Sequence, residues 1–221
     1  MPVSMNMVSL LLQNSSGVMS VGVAHGEKLL FDSLTDIDLA GSRNVELYVK
    51  AALLNSDKAV ADLGCIFVDI GPGGLGATRT TVAFANALGF AKKIPVIGIN
   101  AFELIGYHVG HLEQKPVVCI RPAARPNHYL GLYEGQNLTD FSYADTQDVQ
   151  AFIRRHQNTA AFAGKFSFRT DESELEEPWP LPIANVASMA SFLQVALKKY
   201  QLGNWTMRVF PVTESSIRNV R

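Results

Sequence analysis

The stretch GCIFVDIGPGGLGATR, residues 64–79, joins a mostly apolar run to a loop that is dense in glycine. The apolar run predicts a buried strand over residues 64–70, and the loop leads into a predicted helix over residues 78–91. Lys92 and Lys93 follow at the end where a helix dipole favours positive charge, and Pro95 lies just beyond them. Strand, glycine loop and helix in this order are typical of an α/β protein.

The rest of the chain continues this alternation. Three opening strands are predicted over residues 8–13, 19–24 and 28–31, and a helix over residues 45–54 has Ser42 or Asn44 as its N-cap. After the glycine loop the pattern predicts strands 96–99, 117–120, 129–133 and 159–163, and helices 101–111, 146–156 and 183–200. The acidic, proline-containing residues 171–182 predict a surface loop. We therefore expect two lobes with mixed sheets: residues 1–103, completed by 201–221, and residues 104–200.

Composition excludes several classes of protein. The 221 residues are 48% hydrophobic and 18% charged, which excludes wholesale disorder. A net charge of -1 lacks the general phosphate attraction of a nucleic-acid-binding protein. Cys65 and Cys119 lie in apolar runs and form no disulfide or zinc pattern. No apolar run is long enough to span a membrane, and residues 1–12 do not resemble a signal peptide, so we expect a cytoplasmic protein.

The glycine loop is a candidate anion site. It matches G-x-G-x-x-G between a predicted strand and a predicted helix, where backbone N–H groups can approach a phosphate. A Rossmann site is disfavoured because the loop follows the fourth strand, and a P-loop because Lys-Ser/Thr does not follow the glycines. A tight turn whose glycines permit close packing remains the alternative. The candidate nucleotide- or anion-binding residues are Gly71, Gly73, Gly74, Gly76 and Arg79.

Two segments together resemble a known family. Residues 64–73 with Arg79, followed by IPVIGINAFE at residues 94–103, are similar to the G-P-G-S-F-T-G-L-R and I-P-(V/L)-V-G-V-S-T-L-E motifs of the TsaB (YeaZ) family. Residues 12–23 resemble that family's opening, and Arg125, Tyr129 and Tyr133 fall near its second-lobe pattern. The resemblance implies an actin/Hsp70/sugar-kinase (ASKHA) fold. It also implies a non-catalytic partner of the TsaD-type transferase in tRNA threonylcarbamoyladenosine modification.

The same resemblance implies how the protein assembles. Contact with a TsaD-type paralogue, or with a second copy of the chain, would use helices 45–54 and 78–91. A TsaE-type ATPase would join the complex. The chain would contact tRNA only indirectly, and no membrane is involved. No cofactor is implied. Whether an adenine nucleotide binds at residues 71–79, or only in the assembled complex, stays open. The residues expected at the partner interface are Val45, Tyr48, Val49, Ala52, Val82, Ala85, Asn86 and Gly89.

Departures from the pattern bear on catalysis. The first strand ends in Gln13, where kinase-like relatives carry an acid, and residues 74–78 differ from the family motif. Ala101 and Ile105 stand where the catalytic paralogue has two histidines, and their side chains offer a metal no lone pairs. His108 and His111 lack a third ligand at a known spacing. We expect no catalytic or metal site; the alternatives are an ATP-binding kinase-like enzyme and a free-standing homodimer.

Overall fold

The computed structural model describes residues 6–35, 41, 43–166, 179–203 and 205–218. Ser42 and most of the predicted acidic loop lie outside these residues. The strands are β1 (Val8–Gln13), β2 (Ser20–His25), β3 (Lys28–Asp32), β4 (Leu63–Asp69), β5 (Val96–Ile99), β6 (Val117–Pro122), β7 (His128–Glu134), β8 (Asn137–Ala144) and β9 (Ala161–Gly164). The helices are α1 (Val45–Asn55), α2 (Leu75–Lys92), α3 (Ala101–Glu113), α4 (Thr146–His156), α5 (Met189–Gln201) and α6 (Glu214–Arg218).

The first sheet has the strand order β3-β2-β1-β4-β5. β1 pairs antiparallel with β2 and parallel with β4, and β4 pairs parallel with β5. In this register Leu10 lies opposite Val23 on one side and Ile66 on the other. Both β1 and β4 are almost wholly buried, as their continuous apolar sequences require of strands that are covered on both faces.

Helices cover both faces of the first sheet. α1 and α2 pack on one face through apolar side chains such as Val49 and Val82, which join a core cluster with Leu10 and Ile66. α5 and part of α3 cover the other face, in a cluster that includes Phe67. The predicted cap of α1 is confirmed, since Asn44 Oδ1 accepts a hydrogen bond from Leu47 N at 3.3 Å.

The second sheet has the order β8-β7-β6-β9, with β9 parallel to β6 and the other pairs antiparallel. α3 covers one face through Phe102, Ile105 and Val109, and α4 covers the other through Val149 and Ile153. α3 therefore lies between the two sheets and packs on both. The predicted fold class, two lobes that each have a mixed sheet flanked by helices, is confirmed.

Three details differ from the sequence predictions. β8 was not predicted, because its sequence NLTDFSYA is largely polar and only partly buried. The last long helix begins at Met189 rather than at residue 183, because Ile183 and Ala184 pair with the β9 edge through their backbones and Ser188 caps α5. α5 also packs on the first sheet, although the sequence predicts a second lobe over residues 104–200. The lobe boundaries themselves stay a prediction.

Candidate functional site

A cavity of about 670 Å³ lies between the two lobes, a volume that is usual for small-ligand sites. The β1–β2 turn and the start of α2 line it from the first lobe, and the ends of β6, β7 and β8 line it from the second. The lining residues are Ser15, Ser16, Gly73, Gly74, Leu75, Arg79, Arg121, Pro122, Ala123, Ala124, Tyr129, Tyr143, Lys165, Asn185, Thr213 and Glu214.

Arg121 connects the lobes inside this cleft. It lies near the end of β6 and is buried, with 3% of its surface exposed. Its Nη1 donates to Ser15 Oγ and, at 2.9 Å, to Pro72 O, while Nε and Nη2 donate to Asn185. Burial lowers the pKa of the guanidinium, and the nearby carboxylate of Asp69 opposes that effect. Because its donors are engaged by the protein, Arg121 is a structural link between the lobes.

Asp69 holds the glycine loop and the β1–β2 turn together. Its Oδ1 accepts from Gly71 N at 2.8 Å, and its Oδ2 accepts from Ser15 N at 2.9 Å and Asn14 N at 3.3 Å. These three backbone donors satisfy a carboxylate that is fully buried at the end of β4. The carboxylate therefore has a structural role in which its oxygens are already used.

The glycine loop shows mainly the close packing that was the alternative to anion binding. Gly74 N donates to Ser15 O at 2.8 Å, so this N–H group is engaged within the chain. A Cβ at Gly73 would overlap the same carbonyl oxygen, so no larger residue fits there. Gly71 has a positive φ of 88°. Gly73, Gly74 and Arg79 line the cleft, whereas Gly71 and Gly76 do not. Anion binding by the predicted residues stays a prediction.

Positive charge predominates in the cleft. Arg79 and Lys165 line it together with the buried Arg121, and Glu214 is the acid among the described lining residues. Tyr129 and Tyr143 form an edge-to-face pair with ring centroids 5.6 Å apart. Burial is the main cause that raises the pKa of Tyr129, and Glu214 adds to it. A cleft of this kind suits an anionic ligand that also carries an apolar or aromatic part.

The residues predicted for the partner interface lie inside the protein. All eight are buried or partly buried; Val45, Tyr48, Val49, Ala52, Val82 and Ala85 belong to the core between α1, α2 and the first sheet. Asn86 exchanges two hydrogen bonds with the backbone of Val209. A Cβ at Gly89 would overlap the Val96 side chain. These side chains therefore pack within the chain's own core, and a partner on α1 and α2 would meet the opposite, exposed faces of the two helices. A partner interface on these helices stays a prediction.

The histidine and cysteine side chains, all of which lie in the described residues, do not line the cleft. No group of three His, Cys, Asp or Glu side chains in the described residues could hold a metal ion. Ala101 and Ile105 are core residues. His108 Nδ1 lies 3.0 Å from Ser191 Oγ, but neither residue lines the cleft. Burial raises the pKa of the Cys65 thiol to about 12, and that of Cys119 as well, so both thiols are inert.

Several cleft residues were not anticipated from the sequence. The sequence does point to Arg121, because it is a charged residue at the end of the apolar run VVCI. Nothing in the sequence points to Lys165 and Asn185. They reach the cleft only because β9 pairs with β6 and residues 183–184 pair with β9. Of the predicted second-lobe residues, Tyr129 lines the cleft, Arg125 is an exposed loop residue, and Tyr133 packs against Gly106.

The family described as TsaD: tRNA N6-adenosine threonylcarbamoyltransferase has a model that matches residues 40–198, well over half of the chain. The chain belongs to this family. Two curated relatives are tRNA N6-adenosine threonylcarbamoyltransferases. The chain is 32% identical to that of Clostridioides difficile over 75 residues, or 33% of this chain. It is 39% identical to that of Anaplasma phagocytophilum over 59 residues, or 27% of this chain. The matches span 22% and 17% of those relatives, so the chain corresponds to about a fifth of their length.

Solved structures extend the likeness of this TsaD-family chain to nearly its whole length. YeaZ from Pseudomonas aeruginosa superposes with a TM-score of 0.67 at 15% identity, covering 94% of this chain and 99% of YeaZ. An uncharacterised P. aeruginosa protein with similarity to the peptidase YeaZ gives 0.65 at 16% identity, with the same coverage. These likenesses confirm the fold that the resemblance to the TsaB (YeaZ) family predicted. In the described residues, no helix is both long enough and apolar enough to cross a bilayer.

Proposed function

We propose that this chain is the non-catalytic partner of a TsaD-type threonylcarbamoyl transferase in tRNA threonylcarbamoyladenosine modification. The two proteins form a heterodimer through the outer faces of α1 and α2, and the tRNA is contacted through the partner. Membership of the TsaD family and the YeaZ fold support the pathway. The chain supplies no cofactor, and it acts by binding the competent conformer of its partner and raising that conformer's population.

The exposed apolar side chains of α1 and α2 carry this proposal. Leu54 and Phe90 are each 80% exposed, and Leu47 on α1 is 47% exposed. Ala83 and Ala87 add small apolar groups on the outer face of α2. Large apolar residues this exposed are common where a partner covers the surface, and an aromatic ring is a frequent source of binding energy.

The outer face of α4 provides the contrast. The exposed positions of this helix include Gln147, Asp148, Arg154 and Arg155, as expected of a face that stays in water. α4 covers the second sheet in the same way that α1 and α2 cover the first. Exposed large apolar side chains therefore distinguish the outer faces of α1 and α2 from that of α4.

Size-exclusion chromatography of the chain mixed with the TsaD-type protein of the same genome tests the proposal. We expect a co-eluting heterodimer. The double variant Leu54→Asp, Phe90→Asp places two charges on the exposed face, so we expect it to lose co-elution and to weaken binding by at least about a hundredfold. Its thermal unfolding should be unchanged, because both side chains lie outside the core.

Ala151→Asp, at an exposed position of α4, is the matched control and should co-elute like the wild type. Separate elution of the wild type, or co-elution of the double variant, contradicts the heterodimer. Sedimentation velocity of the chain alone tests the homodimer alternative. A homodimer would sediment as a dimer that dissociates on dilution, whereas a chain that pairs only with the TsaD-type protein would sediment as a monomer. A TsaE-type ATPase added to the mixture should enter the complex only when the TsaD-type protein is present.

A second candidate function, adenine-nucleotide binding in the cleft, is favoured by the basic lining of Arg79 and Lys165. Calorimetric titration of ATP into the isolated chain and into the heterodimer distinguishes a site in this chain from one that needs the complex. Arg79→Ala should abolish binding in whichever form shows it. A kinase-like enzyme would in addition hydrolyse ATP alone. We expect no turnover, because β1 ends in Gln13 rather than in an acid, and because the carboxylate of Asp69 already accepts backbone hydrogen bonds.

A further inference from the structure

The C-terminal segment, residues 205–218, runs from the first lobe to the second, and we call it the C-terminal strap. Its first part is fixed to the first lobe. Asn86 Nδ2 donates to Val209 O at 2.9 Å, and Val209 N donates to Asn86 Oδ1 at 3.0 Å. Val212 N donates to Ile70 O at 2.7 Å, and the start of the strap forms a bridge to β5.

The last part of the strap belongs to the second lobe. Thr213 and Glu214 line the cleft, and α6 then contacts β8 of the second sheet. Ile217 is the buried apolar side chain of α6, with 8% of its surface exposed. The strap therefore passes over the cleft from one wall to the other.

The two halves of the strap are held unequally. Residues 206–212 are tied to the first lobe by hydrogen bonds that involve their backbone groups. α6 has five residues, and a helix this short is unstable without packing, so it depends on its contact with β8 and on the burial of Ile217. Local opening of a protein begins where few buried contacts hold a segment. The junction between α6 and β8 is thus the weaker of the two attachments.

Arg121 makes a polar link between the lobes inside the cleft. It extends from β6 to Ser15 and Pro72 of the first lobe, and it is deeply buried. A buried guanidinium with engaged donors is costly to release, because its charge and its acceptors would lose their partners. Arg121 can therefore act as the fixed pivot of the two lobes while α6 docks and undocks.

We propose that the C-terminal strap is a clasp, and that docking of α6 on β8 sets the width of the cleft between the lobes. With α6 docked, the lobes are held together and the strap covers part of the cavity. With α6 released, the lobes separate about Arg121 and the cleft opens to ligands. This inference does not depend on the identity of the partner or of any ligand.

Pulsed electron spin resonance between labels on the two lobes tests the clasp. Thr80 on α2 and Gln147 on α4 are exposed, so cysteines there can carry spin labels, while the native Cys65 and Cys119 are buried and will not react. In the otherwise unchanged protein we expect one narrow distance distribution. Ile217→Asp should shift it to distances that are longer by several ångströms, as should ending the chain after Thr213.

Ser215→Asp is the matched control, because Ser215 is exposed on the same helix, and its distribution should equal that of the wild type. Wild-type distributions for both Ile217→Asp and the shortened chain would overturn the clasp.

Hydrogen exchange of the unmodified protein tests the same idea without a substitution. The amides of α6 should exchange at least about tenfold faster than those of Val209 and Val212 in the strap. The amides of the β1–β2 turn, which line the cleft, should exchange at the same rate as those of α6. Equal protection of α6 and the first-lobe half of the strap would overturn the proposal even if the variants failed to fold.

Discussion

The two sheets repeat one arrangement of strands. In the first, β1 pairs antiparallel with β2, β2 with β3, and β4 returns parallel to β1. In the second, β6, β7, β8 and β9 repeat these relations in the same order. A helix follows the third strand in both, α1 in the first lobe and α4 in the second. The repeat is therefore one of topology, and the residues that differ at equivalent places show what each lobe contributes.

The ends of the two first strands differ most. Gln13 ends β1 and bonds to Ala187, which packs in the core cluster of the first sheet. Its Nε2 donates to Ala187 O at 3.1 Å, and its Oε1 accepts from Ala187 N at 3.3 Å. Arg121 near the end of β6 reaches across to the first lobe. The apolar pattern of the strands fixes the topology in both lobes, while the polar residue near the strand end decides whether that strand joins the lobes.

In both lobes a glycine lies against a backbone carbonyl oxygen. Substitution of either glycine should have the largest effect on the free energy of unfolding. A Cβ at Gly73 would overlap Ser15 O, and one at Gly164, where φ is 106°, would overlap Ile120 O. Because backbone atoms must move to relieve either overlap, Gly73→Ala and Gly164→Ala should each cost about 4 kcal/mol or more of unfolding free energy. Urea unfolding followed by circular dichroism measures this cost.

Gly135→Ala is the control for those two variants, because Gly135 has a positive φ of 55° but no atom within 4 Å of its added Cβ. It should cost about 1 kcal/mol. Equal losses for all three variants would mean that backbone conformation, rather than close packing, explains the glycines.

Arg121→Met should have the next largest effect, about 3 kcal/mol, because it leaves Ser15, Pro72 and Asn185 without their donor. Gln13→Met removes only neutral hydrogen bonds and should cost about 1–2 kcal/mol. Arg125→Met, at an exposed position of the following loop, should change little. The same unfolding experiment checks all three, and a loss for Arg121→Met no greater than that for Gln13→Met would remove the distinction between the strand ends.

The sequence predicted the elements of the two lobes unequally well. The first lobe has apolar strands and clear caps such as Asn44, and its predicted strands and helices match the structure to within a few residues. The sequence does not predict β8, because a half-exposed strand such as NLTDFSYA has few apolar residues to mark it. The family resemblance points to α1 and α2 as contact helices, but helical periodicity cannot tell which face of a helix packs on the core; Val49 and Val82 prove to face the core. The cleft depends on contacts distant in sequence, such as Arg121 with Ser15, that no local pattern encodes.

α3 lies between the sheets and contacts α5 through His108, whose Nδ1 lies 3.0 Å from Ser191 Oγ. This half-buried histidine should make the free energy of unfolding depend on pH. Burial is the main cause that lowers the pKa of His108 below 6.5, and His111 adds to it. The folded protein therefore holds His108 neutral, while the unfolded chain takes up a proton as the pH falls below 6.5, so stability falls in that range. His108→Gln should reduce the loss of stability between pH 7.5 and 5.5 by less than about 1 kcal/mol, because the half-buried ring is partly screened.

Thermal unfolding of the wild type and of His108→Gln across that pH range measures the difference. His111→Gln is a useful comparison, because it removes the smaller of the two causes and should flatten the profile less. Identical slopes for the wild type and His108→Gln would show that the α3–α5 contact does not carry the pH dependence.

Gly76→Ala should have a small effect, of the opposite sign to that of Gly73→Ala. Gly76 lies in the first turn of α2, is exposed, and has no atom within 4 Å of an added Cβ. Alanine favours a helix over glycine, so we expect a gain of about 0.5–1 kcal/mol in unfolding free energy. Two glycines three residues apart, one in the loop and one in the first turn of α2, would then change stability in opposite directions, because a Cβ at Gly73 meets Ser15 and one at Gly76 faces open space. A loss of stability for Gly76→Ala would show that the start of α2 is more closely packed than its surroundings indicate.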